Sequence, residues 1–190
     1  MLDKLIHIDQ ELFLLLNGLH NPFFDFLMYW ISNAAIWIPL YLLFIYLIYK
    51  HYPKQWWIYV IMLVVAVGLA DWTSVHLFKE QFHRLRPCHN IDLKASVHIV
   101  RDHCGGRYGF VSSHAANMFA IATYISLALG KRIKHISIYV YLWALTIIYS
   151  RIYLGVHFPA DVFAGAILGS SISFIIFGII NRVFVPNKRV

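Results

Sequence analysis

A cation, a histidine and a carboxylate follow one another closely near the end of the chain. Arg151 precedes His157 by six residues, and Asp161 follows His157 by four. A carboxylate that accepts a hydrogen bond from an imidazole fixes its tautomer and stabilises its charged form, which prepares a histidine for chemistry. Gly155 allows a tight bend between the cation and the histidine. The spacing predicts that His157 acts as a nucleophile, oriented by Asp161, beside an anion-binding Arg151.

Two serines and a second histidine stand where an earlier apolar stretch begins. Ser112 or Ser113 can cap a helix that starts there, and His114 would lie in its first turn. A helix N-terminus offers free N–H groups and a positive dipole end, which together bind phosphate. Taken alone, this cluster would fit an ordinary helix cap with a histidine at a membrane surface.

Two further cations, Lys79 and Arg86, lie seven residues apart. If the helix of the preceding apolar stretch continues through Arg86, both side chains lie on one face. Two cations that point in one direction suit an anion with several oxygens. The alternative for this pair alone is that both side chains reach toward water from a membrane-embedded helix. The remaining arginines of this region either contact a large anionic headgroup or are solvated; they are Arg84, Arg101 and Arg107.

The three clusters together contain the groups that phosphoryl transfer requires. This reaction needs a nucleophile in line, cations on the equatorial oxygens and a proton for the leaving oxygen. We expect His157 to form a phosphohistidine, and His114 to protonate the leaving oxygen and then activate water. The groups expected to hold the phosphate are Lys79, Arg86, Ser112, Ser113 and Arg151. No two histidines have the His-Glu-x-x-His spacing of zinc proteases, so we expect neither a metal nor a cofactor.

The composition indicates that membrane helices position these residues. Hydrophobic residues make up 60% of the 190 residues and charged residues 13%, whereas soluble domains are about half apolar and about a quarter charged. Five stretches are apolar and long enough to cross a bilayer, and they must do so as helices because lipid offers the backbone no hydrogen-bond partners. They are residues 23–49, 56–78, 113–129, 136–152 and 159–183. The sequence therefore predicts one all-α membrane-embedded domain over residues 1–190.

The N-terminal residues 2–19 have a different pattern. Leu5, Ile8, Leu12 and Leu15 recur at helical spacing, with polar side chains on the other side. We predict an amphipathic helix that lies in the membrane interface, with a short oblique sixth crossing as the alternative.

Three residues within the predicted spans are interpreted as packing features. Asp71 is expected to hydrogen-bond a neighbouring helix below the site, although a carboxylate at membrane depth is also a functional candidate. Gly165 and Gly169 form a small-xxx-small pair, which we expect to pack the last span against a neighbour rather than to mark a dimer face.

The charges in the connections predict the orientation. One set of connections and ends carries no acidic residue; its cations are Lys50, Lys54, Lys131, Arg132, Lys134, Arg182, Lys188 and Arg189. The opposite side holds the long segment 79–112, where basic and acidic residues are mixed. The positive-inside rule places the first set in the cytoplasm and makes 79–112 a periplasmic loop. Cys88 and Cys104 both lie in this loop, where a disulfide can form, with free thiols as the alternative.

The three clusters resemble the signature of the type 2 phosphatidic acid phosphatase superfamily, which is related to the vanadium haloperoxidases. The first and third patterns are matched at every specified position, by Lys79, Arg86 and Pro87, and by Ser150, Arg151, Gly155, His157 and Asp161. The second pattern departs, because Val111 and Ser113 stand where the family has proline and glycine. Ser113 lacks the conformational freedom of glycine, whereas Ser112 and His114, which carry the side-chain chemistry, are retained. The resemblance implies a helical bundle and metal-independent hydrolysis at the outward-facing surface of the membrane.

The resemblance also implies the class of substrate and the location. We expect a phosphorylated lipid that enters from the bilayer, and we favour a polyprenyl diphosphate such as undecaprenyl diphosphate, in a multi-pass protein of the bacterial inner membrane. Phosphatidylglycerol phosphate, phosphatidic acid and lipid A phosphates remain alternatives. The net charge of +7 does not indicate nucleic acid, because the basic residues form no single stripe. No obligate protein partner is evident.

Two other functions are weighed against lipid hydrolysis. In a lipid phosphotransferase, an acceptor hydroxyl would replace water at the phosphohistidine. In a small transporter, Asp71, Lys79 and Arg151 would form an ion relay, but five spans without inverted repeats argue against that function.

Overall fold

The computed structural model describes residues 2–184 of the chain, and over that range the predicted all-α helical bundle is confirmed. Seven long helices make up the bundle: α1 (Leu2–Asn17), α2 (Pro22–Ile31), α3 (Ile38–His51), α4 (Trp56–Phe82), α5 (Ser113–Leu129), α6 (Ile136–Tyr153) and α7 (Pro159–Val183). The only β-type pairing among the described residues is one bridge between Leu85 and Tyr108 in the long loop. Lys188 and Arg189 of the basic set lie outside the described residues.

The prediction of one continuous helix over residues 23–49 is wrong, because the helix is interrupted at Ser32 and Asn33. Helix α2 ends at Ile31, and the Asn33 side chain accepts a hydrogen bond from Ala35 N at 3.0 Å to start a short 3₁₀ turn, Ala34–Trp37. Helix α3 then begins with a proline in its first turn. Asparagine is a strong helix start signal even within an apolar stretch. This interruption places Ser32 and Asn33 at the same end of the bundle as His114 and Arg151.

Helix α5 is the centre of the bundle and packs against α4, α6 and α7. Most of its side chains are buried, and small residues let α7 approach it closely. A Cβ added at Gly165 would lie 3.0 Å from Ala115 Cβ, and one added at Gly169 would overlap the Ala116 carbonyl oxygen. The interpretation of this glycine pair as a helix-packing feature is therefore confirmed.

Four helical stretches are long and apolar enough to cross a membrane: Ala34–His51, Trp56–Phe82, Ile136–Tyr153 and Pro159–Val183. Helix α5 has 17 residues and lies among them. Helix α1 exposes its apolar positions, since Leu5 is 58% and Leu15 64% exposed, while Phe13 is fully buried against the bundle. This exposed stripe fits a helix in contact with lipid, and its interfacial placement stays a prediction.

The two ends of the bundle differ in charge and in contents. At one end, Tyr52 donates to Ala128 O at 2.7 Å and the Arg132 guanidinium lies 4.4 Å from the Tyr52 ring. This end gathers the connections that carry only basic charges. The C-terminal ends of α4 and α6 and the N-terminal ends of α5 and α7 meet at the opposite end, where all three motif clusters lie. Between the ends, Asn117 Nδ2 donates to Asp71 at 2.9 Å, which confirms the predicted helix–helix hydrogen bond.

Candidate active site

The first turn of α7 fixes His157 and Asp161. Asp161 Oδ2 accepts a hydrogen bond from Phe158 N at 3.0 Å, and Pro159 occupies the first turn, where its missing N–H is tolerated. The same carboxylate oxygen lies 3.5 Å from His157 Nδ1. Gly155 has a φ of +77°, and a Cβ there would lie 2.6 Å from His98 O, so the bend before His157 requires glycine. The histidine and the carboxylate are both buried.

Arg86 reaches the histidine from the long loop and not from a helix. Helix α4 ends at Phe82, and His83 is left-handed with a φ of 48°. The prediction that Lys79 and Arg86 share a helix face is therefore wrong, although the two cations still converge. Arg86 N donates to Arg107 O at 3.1 Å, which holds the loop against itself. The Arg86 guanidinium then lies 3.3 Å from His157 Nε2.

The N-terminus of α5 lies beside both cations. Ser112 is the cap, with its hydroxyl 3.4 Å from Ala115 N, and its own N–H donates to Asp161 O at 3.0 Å. Ser113 is the first helical residue, so this chain needs no glycine there. Its hydroxyl accepts a hydrogen bond from Lys79 Nζ at 2.5 Å. Serine at this position therefore places Lys79 at the helix N-terminus.

A cavity of about 270 Å³ opens beside these residues and is lined by His114 and Arg151. Its other wall comes from the break between α2 and α3, through Ser32 and Asn33. Arg151 donates to the Ser32 hydroxyl. Sequence reasoning missed this wall, and its only signal was a pair of polar residues inside an otherwise apolar stretch.

The electrostatics of the cluster favour a neutral His157. Burial lowers the pKa of His157 well below its usual 6.5, and the positive charges of Arg86, Arg151 and Lys79 lower it further. Burial also lowers the pKa of Arg86, which the Asp161 carboxylate partly opposes. Among residues 2–184, buried nitrogens without a hydrogen-bond partner include Arg86 Nε and Arg151 Nε. Buried polar groups normally have partners, so these nitrogens indicate a site built for a polar ligand.

Arg84 does not line this cavity and instead lines a second one beside α1. Its Nη1 donates to Asp161 Oδ1 at 2.7 Å and its Nη2 to Asp9 Oδ2 at 2.6 Å. Gly109 also contacts the site, since a Cβ there would lie 2.9 Å from Asp161 Oδ2 and 3.5 Å from His157 Nδ1. No local sequence pattern marks Asp9, Arg84 or Gly109.

The loop that supplies Arg86 is covalently closed. Cys88 and Cys104 form a disulfide with a Cα–Cα distance of 6.0 Å. The turn after Cys104 lies against Arg86, because a Cβ at Gly105 would be 3.6 Å from its Nη1. The disulfide therefore restrains the segment that carries this guanidinium.

The arrangement suits a tetrahedral anion. Arg151 and a second histidine, His114, line the cavity. The neutral His157 ring lies 3.3 Å from the Arg86 guanidinium, and Lys79 is bound at the N-terminus of α5. A neutral imidazole has a lone pair for attack, and the cations can take up charge on three oxygens.

Comparison with known proteins gives concordant matches. The family model of the PAP2 superfamily matches residues 55–184. A lipid A 4'-phosphatase of Bacteroides thetaiotaomicron is 37% identical over 89% of this chain and 75% of its own length. An undecaprenyl-diphosphatase of Sulfolobus acidocaldarius is 30% identical over 90% of this chain and 77% of its own length. The crystal structure of LpxE from Aquifex aeolicus superposes with a TM-score of 0.70 at 31% identity, over 88% of this chain and 93% of that one.

Proposed function

Because the chain belongs to the PAP2 superfamily and is a multi-pass membrane lipid phosphatase, we propose that it hydrolyses a lipid A-type phosphate through a phosphohistidine at His157. The observation that supports this mechanism is the convergence of His157 Nε2 with Arg86 at 3.3 Å, beside a cavity lined by Arg151 and His114. A buried neutral imidazole among cations binds an anion and can attack its phosphorus.

The first step forms the phosphohistidine. The lone pair of His157 Nε2 attacks phosphorus, and the bond from phosphorus to the lipid oxygen breaks. His114 gives a proton to that oxygen, which leaves as an alcohol. Lys79, Arg86, Arg151 and the N–H groups at the start of α5 hold the remaining phosphate oxygens. Asp161, 3.5 Å from His157 Nδ1, stabilises the positive charge that develops on the ring.

The second step releases inorganic phosphate. His114 takes a proton from a water molecule, whose oxygen attacks phosphorus as the phosphorus–nitrogen bond breaks. His157 returns to its neutral form, and His114 again holds the proton it needs for the next leaving group. One water is consumed per phosphate, so every residue returns to its starting state and neither step requires a metal ion.

The substrate proposal rests on the relatives. The 37% identical lipid A 4'-phosphatase supports a phosphate of lipid A as the substrate group. The polyprenyl diphosphate favoured from the sequence is the second candidate, supported by the 30% identical undecaprenyl-diphosphatase. The same cations would bind either substrate, since both carry a phosphoryl group and differ in the group that leaves from its phosphorus.

The test is phosphate release by the purified protein in detergent micelles. We expect faster turnover of a lipid A phosphate than of undecaprenyl diphosphate or phosphatidylglycerol phosphate, with no loss on adding a metal chelator. Release without an added acceptor distinguishes hydrolysis from phosphotransfer. Preferred turnover of undecaprenyl diphosphate would replace the first substrate with the second.

The mechanism is tested separately with a substrate carrying radioactive phosphorus. Rapid quenching should trap label on the chain, with the acid-labile and base-stable character of a phosphohistidine. His157→Ala should lose both the label and phosphate release while keeping its melting temperature in detergent. Release by His157→Ala would exclude this residue as the nucleophile.

A further inference from the structure

We propose that Arg84 and Asp9 are positioning residues that hold the Asp161 carboxylate in place for His157, so that helix α1 forms part of the support of the active site. The proposal rests on the function proposed above. It starts from a chain of three charged side chains, Asp9–Arg84–Asp161, in which Arg84 spans the two carboxylates with distances of 2.6 and 2.7 Å.

The two oxygens of Asp161 have different partners. Oδ1 accepts the hydrogen bond from Arg84, whereas Oδ2 accepts from Phe158 N and lies 3.5 Å from His157 Nδ1. Because Arg84 binds Oδ1, the plane of the carboxylate is fixed and Oδ2 stays directed at the ring. Asp161 is fully buried, and a buried charge is strongly disfavoured without a charged partner. Arg84 therefore supplies the countercharge on the side of Asp161 away from the histidine.

Arg84 is itself held on several sides. Its guanidinium lies 4.4 Å from the centre of the Phe158 ring, and that ring contacts Phe13 of α1 edge-on at 5.2 Å. A planar guanidinium that stacks on a ring and binds two carboxylates has little freedom left. Such rigidity is what a positioning group needs, because small displacements of catalytic groups lower rates strongly.

Asp9 connects this support to the first helix. Its Oδ2 accepts from Arg84, and its Oδ1 accepts from Ala160 N in the first turn of α7 at 2.8 Å. The Asp9 side chain is only 11% exposed. One carboxylate on α1 thus binds both the arginine that holds Asp161 and the helix start that carries Asp161.

Arg84 is distinguished by this geometry from the phosphate-binding cations. Both of its terminal nitrogens are bound to carboxylates, whereas the Arg86 guanidinium lies 3.3 Å from His157 Nε2. Loss of Arg84 should therefore slow the chemical step without weakening substrate binding.

The experiment compares four variants of the full-length protein in detergent micelles. Arg84→Gln should lower kcat by about 100-fold with KM nearly unchanged, as expected for misplacement of a catalytic group. Arg84→Lys should recover part of kcat, because it keeps the charge but can bind only one carboxylate well. Asp9→Asn should cause a smaller loss in kcat. Lys94→Gln removes an exposed cation from the same loop and serves as the control, with kcat unchanged.

Coupling between the two residues gives a second readout. In the double variant Arg84→Gln/Asp9→Asn, the loss should be smaller than the product of the two single losses, because Asp9 acts in part through the arginine. Losses that simply multiply would overturn the proposed chain of contacts.

Other outcomes would also overturn the proposal. Full kcat in Arg84→Gln would show that Asp161 needs no such support, and a raised KM at unchanged kcat would make Arg84 a substrate-binding residue. If Arg84→Gln does not fold, the isosteric Asp9→Asn decides, and unchanged kcat in that variant excludes the positioning role. Activity in His157→Ala would instead contradict the proposed mechanism, whatever the Arg84 variants show.

Discussion

At the residue scale, the state of His157 sets the response of the enzyme to acid. Burial and the cations Arg86, Arg151 and Lys79 lower the pKa of His157 well below 6.5. The neutral ring is the nucleophilic form, so protonation of His157 inactivates the free enzyme only when the pH falls through this lowered pKa. We expect kcat/KM to stay high through pH 6.5 and to fall only in more acidic solution, because this ratio reports ionisation of the free enzyme.

The measurement is kcat/KM from about pH 4 to pH 8, at a fixed ionic strength. The ionisation of the substrate phosphate is followed separately by phosphorus NMR in the same micelles and subtracted as the control. An enzyme-derived acid limb at or above pH 6.5 would contradict the lowered pKa of His157.

Gly109 provides a steric test of the contact between His157 and Asp161. In Gly109→Ala, the new methyl group would lie 2.9 Å from Asp161 Oδ2, 3.3 Å from Arg86 Cγ and 3.5 Å from His157 Nδ1. Something must shift, so we expect kcat to fall by about 100-fold, as displaced catalytic groups typically cause. Gly106→Ala in the same loop is the control, because its methyl group would meet nothing within 4 Å. Equal activity of the two variants would show that the site tolerates the displacement.

At the element scale, the close contact between α5 and α7 holds Ser112, at the start of α5, next to Asp161, at the start of α7. Ser112 N bonds to Asp161 O at 3.0 Å just above this contact. In Gly169→Ala the methyl group would overlap the Ala116 carbonyl oxygen, so the helices must separate. Overpacking of this kind costs about 1–3 kcal/mol, and we expect a lower melting temperature in detergent together with reduced activity.

Gly178→Ala is the matched control, because it lies on the same helix and its methyl group would meet nothing within 4 Å. Alanine is a better helix former than glycine by about 0.5–1 kcal/mol, so this variant should melt at a higher temperature. Thermal unfolding of Gly169→Ala and Gly178→Ala checks both predictions. A raised melting temperature for Gly169→Ala would mean that α5 and α7 are not in tight contact there.

The residues that the sequence could predict are those whose partners are near in the chain. His157 and Asp161 lie four residues apart, and the local turn into the start of α7 brings them together. Arg86 was predicted for an incorrect reason, since a loop and not a helix face carries it to His157. Arg84 pairs with Asp161 over 77 residues and Arg151 with Ser32 over 119 residues. Contacts at such separations depend on how the helices pack, which no local pattern encodes.

The helices themselves follow from hydropathy, but their interruptions do not. Averaged hydropathy treats residues 23–49 as one apolar stretch, whereas the structure breaks it at Asn33, whose side chain caps a new turn. Hydropathy measures only transfer into lipid, while a helix start depends on one side chain bonding to the backbone. This break provides the wall of the cavity opposite His114.

At the scale of the whole molecule, the bundle has a basic end and a catalytic end. Lys54 and Lys131 lie in the connections of the basic end, whereas the loop over residues 79–112 closes the catalytic end with the Cys88–Cys104 disulfide. Disulfides persist in oxidising compartments, and basic connections remain in the cytoplasm. Both considerations support the same proposed orientation, in which the catalytic end faces the periplasm or the cell exterior.

Variants with one added cysteine can test this orientation, because both native cysteines are already joined in the disulfide. Lys94→Cys and Lys54→Cys replace exposed lysines at the catalytic and basic ends, respectively. A membrane-impermeant maleimide should label Lys94→Cys in intact cells, whereas Lys54→Cys should react only after the membrane is permeabilised. The unsubstituted chain should not react in either case. Labelling of Lys54→Cys alone in intact cells would place the active site in the cytoplasm, where it could not act on a lipid presented at the outer face.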